Sequence, residues 1–329
     1  MHRRVRYVTL VAVVMVIAVG IYLGGRSYAP QLASAASETT TTTAAGSTTT
    51  TTAPATTTTT AAPKGFSAFY VAVGASASLG YQPTGIVNYN GRRTNTGYAN
   101  DLLELEKIKG VSLTLDQIGC PGETVQSFLN TRVTDHCYKL PKTQLTQAVS
   151  YLQANKGEAG LVTIDLGFNN LRVCISGAAV NEACVSAAVA AVQVDMPKVV
   201  KVLKAAAGPH VRFVGVEYND PFLAYFLDGA TGPNIATATL VAFDQMNAAL
   251  GQAFASTGIP AANVPAISQT DNNTRVTLSN VGEIPENVNK ACELTWMCYA
   301  APFGPDDHPN NAGYALIAQA IAAVLPKSW

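Results

Sequence analysis

The sequence predicts an α/β domain, a three-layer αβα sandwich built on a central, mainly parallel sheet. Three observations carry this. Short apolar runs of strand length alternate along the chain with longer amphipathic stretches. Glycines and other turn residues bound the apolar runs, so each ends abruptly. After two unusual N-terminal segments are set aside, about 266 residues remain, enough for one large core.

The elements follow in order. Phe69–Val73 reads as a buried strand, Tyr98–Lys107 as a helix and Val111–Ile118 as a second strand. Lys142–Gln153 is helical, and Leu161–Leu166 is a third strand. Cys184–Ala207 has the length of a long helix, with a kink expected at Pro197. Val211–Val216 is a fourth strand and Ala236–Ala255 another helix. Ala262–Ile267 is a candidate fifth strand, and Ala312–Leu325 closes the domain as a helix. Strand and helix alternating at this spacing imply parallel strands covered on both faces.

The chain divides into three parts: 1–37, 38–65 and 66–329. The first begins with basic residues (Arg3, Arg4, Arg6), followed by a nearly unbroken apolar run from Tyr7 to Leu23. As a helix that run spans roughly 25 Å, at the short end for a bilayer crossing. Two readings stay open. Ala33-Ser34-Ala35 has the small-residue pattern of a signal-peptidase site, whereas the length of the apolar run favours an uncleaved membrane anchor. Either way the remainder is expected outside the cytoplasm. Residues 38–65 include three blocks of five threonines, at 39–43, 48–52 and 56–60. With almost nothing to bury, such a segment is expected to form an extended, disordered stalk.

The overall composition averages over these parts. The chain is 48% hydrophobic and only 13% charged, with a formal net charge of zero. Four of its 21 basic residues (Arg3, Arg4, Arg6, Arg26) and one of its 21 acidic residues (Glu38) precede residue 64. Residues 64–329 therefore carry 17 Lys and Arg against 20 Asp and Glu, a net of −3. That balance argues against nucleic acid as a partner, since phosphate-backbone affinity needs clustered Lys and Arg.

All six cysteines lie in the third part: Cys120, Cys137, Cys174, Cys184, Cys292 and Cys298. An even number in an exported domain points to disulfides, although six cysteines allow fifteen connectivities. Their clustering favours the sequential pairs 120–137, 174–184 and 292–298. A metal site fits poorly, because no CxxC is present and only His136 adjoins a cysteine.

Ligands of such sheets bind beyond the carboxyl ends of the strands. Gly74-Ala75-Ser76-Ala77-Ser78 follows the first strand, Gly119-Cys120-Pro121-Gly122-Glu123 the second, and Gly167-Phe168-Asn169-Asn170 the third. Asp306-Asp307-His308-Pro309-Asn310 precedes the last helix. Each has an ordinary structural reading as a tight turn, a helix start or a cap. Together they supply a hydroxyl, a backbone amide, a side-chain amide and an imidazole, the parts acyl transfer needs.

These four blocks, in this order, resemble those of the SGNH (GDSL-type) hydrolases, particularly exported actinobacterial members. The resemblance runs from about Phe69 to Ile321 and implies the flavodoxin-like fold of that family. It places Ser76 as nucleophile, His308 as general base, and Ser76, Gly122 and Asn169 as oxyanion donors. This sequence departs from the family at three positions. Ala75 and Asn170 stand where acids are usual, and Pro305 stands where the triad acid usually sits, three residues before the histidine. Asp306 is assigned as the acid, with Asp307 the alternative.

The function this implies is an exported serine hydrolase that cleaves acyl esters through an acyl-enzyme, with no metal or organic cofactor. Its substrates would be small-molecule, lipid or glycan esters, the protein would be monomeric, and the membrane would be contacted only through the N-terminal segment. The alternative is a stalked, non-catalytic wall- or glycan-binding head that keeps the fold. Trp296, Met297 and Tyr299 are candidates for an apolar acyl pocket.

Overall fold

A computed structural model of the chain describes residues 66–85, 91–132, 137–177, 179–279 and 281–327. The expected export segment (1–37) and stalk (38–65) lie outside these residues. The sheet has five parallel strands: β1 (Phe66–Gly74), β2 (Val111–Gln117), β3 (Gly160–Asp165), β4 (Val211–Val216) and β5 (Ala261–Ala262). Their order is β2-β1-β3-β4-β5. The chain goes from β1 to one side and then returns to β3 on the other, so a switch point falls at β1.

Alternation along each strand explains the three layers. Val71, Val73, Val162, Ile164 and Phe213 face one core, which α3 (Gln144–Ala154), α5 (Glu182–Ala206) and α6 (Gly232–Ser256) cover. Tyr70, Ala72, Leu161, Val214 and Val216 face the other, covered by α1 (Tyr98–Ile108) and α8 (Asn311–Val324). Among the described residues α5 is the one helix long and apolar enough to cross a membrane. Here its Val192, Met196, Val199, Val200 and Leu203 are fully buried against the sheet, and it runs on through Pro197.

Side-chain caps set several helix starts. Thr143 and Thr146 cap each other's backbone N–H groups, so α3 begins at Gln144 rather than Lys142. Asn181 accepts from the Cys184 amide at 3.0 Å and starts α5 two residues before Cys184. Asn310 accepts from the amides of Ala312 and Gly313 at 3.0 and 3.1 Å, which starts α8 just after His308.

The candidate strand at Ala262–Ile267 is corrected. Only Ala261–Ala262 pairs with β4, and Val264–Ile267 is a helical turn. Pro265 has no N–H to give a ladder, and Asn263 accepts from the Ala266 amide at 2.9 Å, closing the turn. Two short helices that matter for the site were not anticipated: α2 (Val125–Leu129) and α4 (Phe168–Arg172). A further helix, α7 (Glu286–Leu294), leads into the last loop.

Three disulfides join the cysteines sequentially, at separations of 17 (Cys120–Cys137), 10 (Cys174–Cys184) and 6 residues (Cys292–Cys298). Each anchors a segment beside one chemical block. Cys120 precedes Gly122, Cys174 follows α4, and Cys298 opens the loop that carries His308.

Candidate active site

Ser76 lies two residues beyond the end of β1, where backbone has to pass close to β3. Gly74 faces Asp165 in the register, and a Cβ there would come within 2.5 Å of the Asp165 carbonyl oxygen. The Gly74 amide donates to Gln144 Oε1 at 2.8 Å, and Gln144 Nε2 donates back to the Gly74 carbonyl at 2.9 Å. The Ala75 amide donates to the Asp165 carbonyl at 3.1 Å, and Ser78 Oγ to the Ala75 carbonyl at 2.7 Å. Ser78 therefore braces the turn that presents Ser76.

His308 reaches Ser76 from 232 residues away, with Nε2 2.8 Å from Ser76 Oγ. Its Nδ1 is 2.7 Å from Asp306 Oδ1, and the same oxygen accepts the His308 backbone N–H at 2.9 Å. This local turn explains how an acid two residues before the histidine reaches the ring. A carboxylate that accepts from the amide two residues on already lies alongside that residue. Asp307 Oδ1 stands 3.7 Å from Nδ1, while Asp307 Oδ2 accepts from Arg172 Nε at the end of α4. Asp306 thus makes the hydrogen bond, and Asp307 is engaged by a guanidinium.

Charge follows this geometry. Burial alone would lower the His308 pKa, but the Asp306 hydrogen bond and the Asp306 and Asp307 charges hold it above its ordinary 6.5. Burial alone would raise Asp306, and the bond and charge of His308 instead leave it below its ordinary 3.8. Oxygen and nitrogen atoms of Asp306, Asp307 and His308 lie within 4.8 Å of one another, close enough to suit a cation. Hydrogen bonds to Ser76, Asp306 and Arg172 already occupy those atoms, which fits a proton-transfer centre better.

The oxyanion candidates come from two loops that hold each other. Asn169 Nδ2 donates to the Glu123 carbonyl at 3.1 Å, using one of its two N–H groups. Gly122 adopts φ +80°, a left-handed conformation that glycine tolerates. Glu123 is buried and accepts from Gln144 Nε2 at 3.1 Å, tying this loop to the base of the Ser76 turn. Asn170 points the other way. Its Oδ1 accepts from the Val125 amide at 3.1 Å and its Nδ2 donates to Gln126 Oε1, so it caps α2.

A mostly apolar cavity with about 40 Å³ of interior space opens beside Ser76, Asn169 and His308. Phe168, Val216, Tyr218, Pro221 and Ile317 wall it, and Asp165 and Tyr98 also line it. Trp296, Met297 and Tyr299 do not line this cavity, which corrects the expected acyl pocket. Met297 is core, and Trp296 packs on Tyr299 and Phe303, at ring separations of 4.6 and 5.9 Å. The Trp296 backbone instead holds the histidine loop, donating to the His308 carbonyl at 3.1 Å and accepting from the Asp306 amide at 3.3 Å.

Sequence reasoning missed Gln144, Asp165, Arg172 and Tyr218 at this site. Only Asp165 carried a signal, as an acid closing the otherwise apolar run of β3.

The three-layer α/β fold is shared with solved bacterial enzymes. It is similar to phospholipase A1 from Streptomyces albidoflavus, at 20% identity and a TM-score of 0.50, covering 78% of this chain and 99% of that one. It is also similar to an extracellular lipase from Streptomyces rimosus, at 18% identity and a TM-score of 0.50, covering 78% of this chain and 100% of the other. No protein-family profile and no curated protein matches the chain by sequence.

Proposed function

We propose that this protein is an exported serine ester hydrolase. The observation that carries the reading is the continuous hydrogen-bonded chain Ser76–His308–Asp306, with Asn169 and Gly122 on neighbouring strand-end loops. In this mechanism His308 Nε2 takes the Ser76 proton as Oγ attacks the ester carbonyl. The Asn169 amide and the backbone N–H groups of Ser76 and Gly122 hold the oxyanion. The imidazolium then protonates the departing alcohol, leaving the acyl group on Ser76. Water, deprotonated by His308, releases the acid. Three disulfides beside the site suit an oxidising compartment, as does the basic apolar N-terminus.

Phe168, Val216, Tyr218, Pro221 and Ile317 give the cavity an apolar wall that suits the hydrocarbon of an acyl group. A fluorophosphonate probe and a series of 4-nitrophenyl esters from acetate to palmitate test the reading together. Labelling at Ser76, with turnover of at least one ester of the series, is expected. A folded protein unlabelled at Ser76 would favour the non-catalytic glycan-binding head instead.

Two further results follow from the site. Asn169→Ala removes one oxyanion donor, which is worth about 2.7–4 kcal/mol of transition-state stabilisation. A roughly 10²–10³-fold fall in kcat with an unchanged KM is the expected outcome in steady-state assays. The pH dependence carries the sign of the His308 shift. Only neutral imidazole can take the Ser76 proton, and His308 holds its proton to a higher pH than an ordinary histidine. The acid limb of kcat/KM is therefore expected to have its midpoint above pH 6.5. A rate independent of pH between about 5 and 8 would remove His308 as the titrating base.

A further inference from the structure

We propose that Asp165 is a second acid of the catalytic centre, a positioning residue whose buried carboxylate acts on His308 across the cavity both residues line. The inference rests on the esterase reading above. Asp165 ends β3 and is only 2% exposed. Its side chain lies on the same sheet face as Tyr70 and Thr163, towards α1 and α8. Oδ1 accepts from the Tyr218 hydroxyl at 2.8 Å. Tyr218 is itself fixed by Asn247 of α6, whose Oδ1 accepts the Tyr218 amide at 2.9 Å and whose Nδ2 donates to its carbonyl at 2.8 Å. Asp165 Oδ2 is buried and has no hydrogen-bond partner among the described residues. Through its carbonyl the same residue holds the Ala75 amide, next to the nucleophile.

A carboxylate buried this deeply, with the Tyr218 hydroxyl and the Ser78 backbone as its donors, is costly to ionise unless an opposite charge faces it. That charge appears when His308 accepts the Ser76 proton. Around the imidazole stand Asp306 and Asp307 on its own loop, Arg172 on α4 and Tyr81 after β1, and Asp165 of β3 lines the same cavity. Facing Asp165 are Tyr218, Tyr98 of α1, Tyr70 of β1, Tyr314 of α8 and His308, with Glu217 further along the cavity. Burial pushes all four of these tyrosines up, so they stay neutral. Burial also pushes Asp165 up, to about 6, against the Tyr218 hydrogen bond, the His308 charge and a hydrogen bond from the Ser78 backbone.

The test is the pH profile of Ser76 phosphonylation by a fluorophosphonate, which reads His308 without any natural substrate. Asp165→Asn keeps an acceptor for Tyr218 and removes the charge. Its acid limb is expected to move several tenths of a pH unit or more to lower pH, and its plateau rate to fall about three- to tenfold. Tyr218→Phe leaves a carboxylate that ionises less readily and should move the limb the same way by less. It carries the test if Asp165→Asn does not fold. A plateau that falls with the limb unmoved, or a limb moved to higher pH, in protein of unchanged thermal midpoint, overturns the proposal. Absence of Ser76 labelling in the parent overturns the esterase reading, and this proposal with it.

Discussion

Ser76→Ala is expected to lower ester turnover by at least about three orders of magnitude while leaving the fold intact. In serine hydrolases generally, losing the nucleophile costs up to about 10⁶ in kcat, and the remaining rate comes from the oxyanion donors and binding. The fold should survive because among the described residues Ser76 Oγ bonds only the His308 ring, while the turn itself is held by backbone and by Ser78. The Leu79 and Tyr81 amides both donate to the Ser76 carbonyl at 3.1 Å, and alanine keeps that carbonyl. Turnover of a short-chain ester and a thermal melt on the same preparation check both halves. Equal turnover in parent and variant would remove Ser76 as nucleophile.

Asp306→Ala is the second large effect, an expected loss of about 10²–10⁴ in kcat/KM. One oxygen, Asp306 Oδ1, serves both Nδ1 and the backbone N–H of His308, so alanine frees the ring and unpairs that amide. The acid limb should move to lower pH, because Asp306 is the main group holding the His308 pKa up. Asp307→Asn should cost less than about tenfold, since its oxygen stands 3.7 Å from Nδ1 and Arg172 holds its partner oxygen. A larger loss for Asp307→Asn than for Asp306→Ala would reverse the assignment of the two acids.

Much of the sheet was legible because a strand buried throughout, such as Gly160–Asp165, is written as a mostly apolar run, and the edge strand Val111–Gln117 as apolar residues alternating with polar ones. Val111–Gln117, Gly160–Asp165 and Val211–Val216 stand within a residue of the runs that predicted them. Boundaries shifted where a single side chain closed a helix end, as at Thr143 and Asn181. The fifth strand was misread because Val264–Ile267 is as apolar as a strand, and Asn263 and Pro265 decide its conformation. Helices as short as α2 and α4 have too few residues to show a period.

By itself the sequence determined the chemical parts and their order: a hydroxyl, a glycine turn, a side-chain amide and an imidazole at successive strand ends, and six cysteines in close pairs. Such features are local, each readable within a few residues of a strand or helix end. Tertiary structure decided everything that depends on where distant chains meet. Asp306 and Asp307 are adjacent and chemically identical, and only the direction of each side chain separates the one that bonds His308 from the one that meets Arg172, 135 residues away. It likewise set the cavity beside Phe168 and Tyr218 rather than Trp296, and placed the buried Asp165 on the wall of the cavity that His308 also lines. Contacts of this kind form only when the sheet closes against its helices, and no spacing along the chain records them.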